Sequence, residues 1–269
     1  MAVESLLFWS GLAAEAALVL LLLRGRVFAS LPAFFLYICW SFLSDTLMFS
    51  VQSLPPTTYF RFFEVQMVID SAMIFAVLVE LAWSVLRPLR SSLPRGSWIV
   101  IAFLVALAGL LLWPLAGLTL PMSVAGATRR LSQEGAIFFR LQQTFAILRL
   151  VVFLGMAGFS QLLSIGWRNR ELQIATGLGF YSTVSLAVTV LHTHQIVGPQ
   201  YHWLDEAAAA SYLGALGYWV FCFATKEAER RDFTPQMQGF MLLVGGAAKA
   251  SRIAVTSFEV TKSRHEDHR

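Results

Sequence analysis

Long apolar runs alternate with short polar segments along most of this chain. The runs are long and rich in Leu, Val, Phe and Ala, whereas the segments between them hold arginine, proline and glycine. A helix needs about 20 apolar residues to cross the ~30 Å hydrocarbon layer of a bilayer. The pattern predicts transmembrane helices at residues 6–23, 31–51, 59–86, 98–118, 135–167, 172–191 and 207–225.

The composition agrees with a membrane protein. The chain is 57% hydrophobic and 13% charged, whereas an average soluble domain is about 25% charged. We expect an all-α protein of the cell membrane, a bundle of seven transmembrane helices in contact with the lipid bilayer. Residues 1–231 form its transmembrane domain and 232–269 a tail. The net charge of +4 comes from arginines at the ends of apolar runs, a placement that orients helices and does not indicate nucleic-acid binding.

Basic residues are distributed unequally between the two sides of the predicted bundle. Ten Lys and Arg residues fall on one side, whereas the other side has Arg129 and Arg130. Because cytoplasmic loops carry the basic excess, this count predicts an N-terminus outside and a cytoplasmic C-terminus. The apolar run at 239–248 is too short to cross, and we expect it to form a short interfacial helix on the inner leaflet.

Polar side chains inside the predicted spans are the main functional clue, because a charge at mid-membrane costs about 2.5 to 3.5 kcal/mol and usually faces the bundle interior. Their depths allow Asp70 to form an ion pair with Arg149, and Glu64 with Arg140. Such pairs would have a structural role, joining helices 3 and 5. Alternatively, an outward-facing polar cavity between helices 1, 2, 3 and 5 binds a ligand. Residues near span ends, including Glu80, fit side chains that extend to the interface. The candidate cavity residues are Glu15, Asp45, Glu64, Gln66, Asp70, Gln142 and Arg149.

Two cofactors of membrane helix bundles are excluded or disfavoured by residue placement. Retinal would need a lysine in the seventh span, and all lysines lie at or beyond its end. A haem would need axial ligands such as histidine at membrane depth, but every histidine is at the outer edge or in the tail. We therefore expect no cofactor. The lysines are Lys226, Lys249 and Lys262.

A histidine group at the outer end of span six is a weak metal candidate. Helical residues two apart point to different sides, so solvated loop residues are the favoured interpretation. These histidines, together with Glu15 and with Ser41 and Asp45 in an S-x-x-x-D pattern, resemble a few positions of the superfamily of alkaline ceramidases and adiponectin-receptor-like proteins. The resemblance implies a membrane metal hydrolase with histidines inside its helices, whereas spans one to five and seven contain none. The histidines are His192, His194 and His202.

The polar residues support three functional hypotheses. The favoured one is a seven-helix receptor or sensor, in which a small-molecule ligand occupies the cavity and a cytoplasmic signalling partner supplies the output; this is an argument from topology. A carrier for a small polar solute or ion would use the same residues with alternating access. The metal hydrolase is the least favoured, so we do not expect an enzyme.

Reporter fusions test the predicted orientation. Fusions after Arg26, Leu93 and Asn169 should report the cytoplasm, and fusions after Pro56 and Gln200 the exterior, because the basic loops are retained inside. The reverse pattern would contradict the orientation and the outward-facing cavity that depends on it.

Overall fold

Seven long helices account for nearly all of the described chain. The computed structural model describes residues 2–51, 55–85, 96–118, 133–162, 170–194 and 201–225. All seven helices are long and apolar enough to cross a bilayer, so the described residues contain the seven candidate spans predicted for a multi-pass membrane protein in contact with lipid. The predicted interfacial helix lies outside the described residues. The helices are α1 (Ala2–Arg24), α2 (Pro32–Val51), α3 (Pro56–Val85), α4 (Ser97–Leu118), α5 (Gln133–Leu162), α6 (Arg170–His194) and α7 (Tyr201–Ala224), with a short 3-10 helix at Val27–Ala29.

The helices pack in chain order into a closed ring. Each contacts the next, α7 returns to α1, and α3 reaches across the ring to α5 and α6. Side-chain contacts show that α2 runs opposite to both α1 and α7, so α1 and α7 run in the same direction. Phe8, near the start of α1, stacks on Phe49, near the end of α2. Similarly, Phe34, near the start of α2, contacts Trp219, near the end of α7.

Large apolar side chains lie both inside and outside this ring. Phe34 and Trp219 belong to an inner cluster and are almost fully buried. In contrast, Leu20, Phe103 and Leu110 are each about two-thirds exposed. Such exposure would be unfavourable in water, but it suits the surface of a bundle that faces lipid. Because lipid tails are as apolar as leucine, close packing and polar contacts must specify which helices associate.

The carboxylate of Glu80 caps the first turn of α2. Its two oxygens accept hydrogen bonds from the backbone N–H groups of Ala33 (3.0 Å) and Phe34 (2.9 Å). These donors have no partner within their own helix, and a negative charge is favourable beside them. Glu80 therefore joins α3 to the start of α2, a contact that the sequence interpretation did not predict.

Two glycines allow large aromatic side chains to pack against opposite sides of α6. A Cβ atom at Gly177 would overlap the indole of Trp219 from α7. A Cβ atom at Gly179 would overlap the ring of Phe153 from α5. Small residues at such contacts let membrane helices approach closely. The glycines thus hold α6 tightly between its two neighbours.

The start of α7 differs from the sequence expectation. The helix begins at Tyr201 and not near 207, so it extends beyond the apolar span into the expected loop. His202 therefore lies in the first turn of α7 and not in a loop, while His192 and His194 lie at the end of α6.

The glycine contacts predict unequal effects of adding a methyl group. Gly177→Ala should lower the free energy of unfolding by about 1 to 3 kcal/mol, because a rigid indole must move to make room. Gly217→Ala is the matched control, since nothing lies within 4 Å of its added methyl, and should be neutral or slightly stabilising. Thermal unfolding in detergent measures both, and equal effects would contradict the close approach.

Candidate functional site

A polar cavity of about 310 Å³ lies inside the bundle. It is bounded by α2, α3 and α5, with one tyrosine from α6 and one from α7. Its residues on the three main helices recur at intervals that place them on one helical face. On each of these helices, that face carries polar or charged side chains where a helix in an apolar core would carry aliphatic ones. The lining residues are Tyr37, Ser41, Ser44, Asp45, Gln66, Met67, Asp70, Ser71, Ile74, Gln142, Phe145, Arg149, Tyr181 and Tyr212.

Glu15 of α1 lies directly behind the cavity wall and is fully buried. Its Oε1 accepts hydrogen bonds from Ser41 Oγ (2.7 Å) and Tyr212 OH (2.6 Å), whose oxygens are 2.8 Å apart. Its Oε2 has no hydrogen-bond partner among the described residues. Because Ser41 and Tyr212 both line the cavity, Glu15 positions two of its lining side chains.

Asp70 and Arg149 have different partners on different helices. Asp70 Oδ1 accepts a hydrogen bond from the indole N–H of Trp40 at 2.5 Å. The Arg149 guanidinium lies 5.1 Å from the ring centroid of Tyr181, an arrangement that favours a cation–π interaction. Tyr181 in turn makes an edge contact with Tyr212. A polar and aromatic chain therefore runs from α5 through α6 to α7.

The predicted ion pairs are not formed in the described part of the chain. Asp70 and Arg149 line the same cavity, as their similar depths suggested, but Asp70 is bonded to Trp40 and Arg149 lies over the ring of Tyr181. The second expected pair, Glu64 with Arg140, is likewise not formed there, and Arg140 Nε is buried without a described partner. Depth along a span permits a contact but does not determine which way a helix is turned.

The structure places most of the sequence-derived candidate residues in one cavity. Two candidates do not line it, and one of them, Glu15, lies behind the wall and is joined to the cavity through Ser41. Glu64 is not part of the lining. The cavity also lies mainly against α2, α3 and α5, so the expected contribution of α1 is indirect. The candidates that line the cavity are Asp45, Gln66, Asp70, Gln142 and Arg149.

The sequence interpretation missed the tyrosines of the site. Tyr37, Tyr181 and Tyr212 each line the cavity, and Trp40 supports it through Asp70. A usable signal was present, since aromatic residues of the membrane interface fall near span ends, whereas these tyrosines lie well inside their helices. A tyrosine at that depth needs a partner for its hydroxyl.

Metal binding finds no support in the described ranges. They contain no cluster of three or more His, Cys, Asp or Glu side chains arranged to hold a metal ion. The cavity instead offers charges of both signs, amides and hydroxyls, which can recognise the polar groups of a small molecule. The chain matches no protein-family model, and comparisons with curated proteins and with solved structures find no match either.

The observed partners predict which substitutions are energetically coupled. In a double-mutant cycle on thermal stability in detergent, Trp40→Phe and Asp70→Asn should couple by about 0.5 to 3 kcal/mol, because they remove the two ends of one hydrogen bond. Asp70→Asn and Arg149→Gln should couple less, since no ion pair joins them. A larger coupling between Asp70→Asn and Arg149→Gln would indicate a direct ion pair and contradict the observed geometry.

Proposed function

We propose that this protein is a seven-helix receptor or sensor of a cell membrane that binds a small polar ligand in the cavity between α2, α3 and α5. One observation carries the proposal. Asp45, Asp70 and Arg149, on three different helices, line a single cavity inside the candidate spans. Charged side chains at membrane depth are costly, and they typically line pathways or binding sites.

Unsatisfied polar atoms support the same proposal. Arg149 is 5% exposed, and its Nε has no hydrogen-bond partner among the described residues. Gln66 Oε1 is also buried without one. A buried donor or acceptor left unpaired costs about 1 to 3 kcal/mol. A bound polar molecule, or water in its absence, would remove that cost.

The cavity has a size suited to a small solute. Its volume of about 310 Å³ lies at the lower end of the roughly 300 to 1,000 Å³ of small-molecule sites. Its walls combine polar groups with the apolar side chains of Met67, Ile74 and Phe145. Such a mixture binds compact polar molecules with short hydrocarbon parts.

Continuous helices favour a receptor over a carrier. Carriers commonly form their sites from helices interrupted at mid-membrane, where alternating access requires movement. All the described lining residues lie on uninterrupted helices. The proline within a described helix, Pro114, belongs to α4, which contributes nothing to the cavity lining.

The contacts between α2 and α3 offer a route for a ligand signal. A ligand that hydrogen-bonds to Asp70 would compete with the indole of Trp40. The same two helices are joined further along by the Glu80 cap. In the orientation predicted from the basic residues, the cavity residues lie nearer the exterior than the Glu80 cap, and a signalling partner would bind on the cytoplasmic side.

A cavity-filling substitution tests the proposed site. The probes are glycine, β-alanine, γ-aminobutyrate, δ-aminovalerate, butylamine, butyrate and butanediol. At about 100 times its Kd, a probe bound to the folded state adds about 2.7 kcal/mol of stability. We expect at least one probe to raise the thermal midpoint of the wild-type protein in detergent. Ser71→Phe should abolish that rise, because its side chain occupies the cavity.

Ser84→Phe is the matched control, on the same helix but outside the cavity lining, and it should keep the rise. Proteoliposomes should show no accumulation of the stabilising probe, whereas concentrative uptake would indicate the carrier. If no probe stabilises the wild-type protein, or if Ser71→Phe responds like Ser84→Phe, the proposed function is wrong.

A further inference from the structure

Two side chains of opposite charge in the cavity, Asp45 and Arg149, have no ion-pair partner among the described residues. The Arg149 guanidinium lies over a tyrosine ring, and no described carboxylate forms an ion pair with it. No described side chain forms a hydrogen bond or an ion pair with the carboxylate of Asp45. Both residues line the same cavity, yet they do not pair with each other. Two separated charges of opposite sign are therefore available to a bound molecule.

Asp70 adds a second acidic group to the same cavity. Its Oδ1 is engaged by Trp40, which leaves Oδ2 as a further acceptor. With Asp45, the lining thus carries two carboxylates and one guanidinium. A lone anion would neutralise the guanidinium but be repelled by the carboxylates. A lone cation would neutralise a carboxylate but be repelled by the guanidinium.

We propose that the ligand is a small zwitterion, an amino acid with a short carbon chain; this inference rests on the proposed function. Its ammonium group binds Asp45 and Asp70, and its carboxylate binds Arg149. Guanidinium and carboxylate groups match in a planar, bidentate geometry. Three ammonium hydrogens can serve two carboxylates.

The cavity volume and walls limit the size of this amino acid. About 310 Å³ corresponds to roughly ten water molecules at ~30 Å³ each. This space accommodates both charged groups and a few carbons. The methylene groups would contact Met67, Ile74 and Phe145, while Tyr37 and Tyr181 provide hydroxyls beside the charged ends.

Matched probes separate the zwitterion from its two halves. Binding to the purified wild-type protein would be measured for glycine, β-alanine, γ-aminobutyrate and δ-aminovalerate, beside butylamine, butyrate and butanediol. We expect at least one amino acid to bind roughly tenfold or more tightly than either butylamine or butyrate. The spacing of the best amino acid then reports the separation of the two charged sites.

Charge-removing variants assign each end of the ligand. Arg149→Gln should lower the affinity for the best amino acid to that for butylamine. Asp45→Asn should lower it toward that for butyrate. Arg140→Gln, on the same helix, and Glu64→Gln are matched controls outside the lining, and they should leave the affinity unchanged. Because the wild-type rank order needs no variant, a poorly folded variant does not prevent the test.

The outcomes distinguish this inference from the proposed function. If butylamine, butyrate or butanediol binds as tightly as every amino acid, the zwitterion is overturned while the site remains. If the amino acid binds but the Arg149→Gln and Asp45→Asn variants bind it as the controls do, its placement between those residues is wrong. If no probe binds at all, both the inference and the proposed function fail.

Discussion

The buried carboxylate of Glu15 constrains how three of the seven helices can be arranged. It accepts hydrogen bonds from Ser41 of α2 and Tyr212 of α7, so it joins the first helix to its two neighbours where the ring closes. In lipid, apolar surface gives little preference for one helix partner over another. A carboxylate without these donors would be costly at that depth. The polar contacts therefore select a particular helix arrangement, and the same hydroxyls then become walls of the cavity.

Close packing fixes the opposite side of the cavity. Gly177 and Gly179 admit Trp219 and Phe153 against α6, which leaves little freedom for that helix to slide. Tyr181 lies on the same helix, shortly after both contacts, and its ring lies against the Arg149 guanidinium. Rotating α6 to move Tyr181 would disturb both of these close contacts with aromatic rings. The guanidinium is therefore held by a preorganised surface, which lowers the cost of binding a partner.

Much of the fold, and part of the site, follows from the sequence. Seven helices can be counted because each must match the bilayer thickness, and polar residues such as Asp70 and Gln142 stand out because they are expensive there. The pairing of Asp70 with Trp40 could not be derived in the same way. Depth along a helix is set by counting residues, but rotation about its axis depends on packing with all of its neighbours. The tyrosines were missed because the sequence interpretation relied on charged and amide side chains, whereas hydroxyls cost less to bury; yet the hydroxyl of Tyr212 donates a hydrogen bond to Glu15.

The two contacts between α2 and α3 differ in what a ligand can change. The Trp40 hydrogen bond is beside the cavity, where any new donor competes for Asp70. The Glu80 cap lies about 10 Å from it toward the start of α2, at ~1.5 Å per residue, and satisfies backbone donors that have no helical partner. Replacing the Trp40 hydrogen bond would let α2 and α3 shift, whereas the Glu80 cap would keep them together. A shift would therefore pivot near Glu80 and not translate the whole helix. For the receptor proposed above, such a pivot is the expected response to a bound ligand.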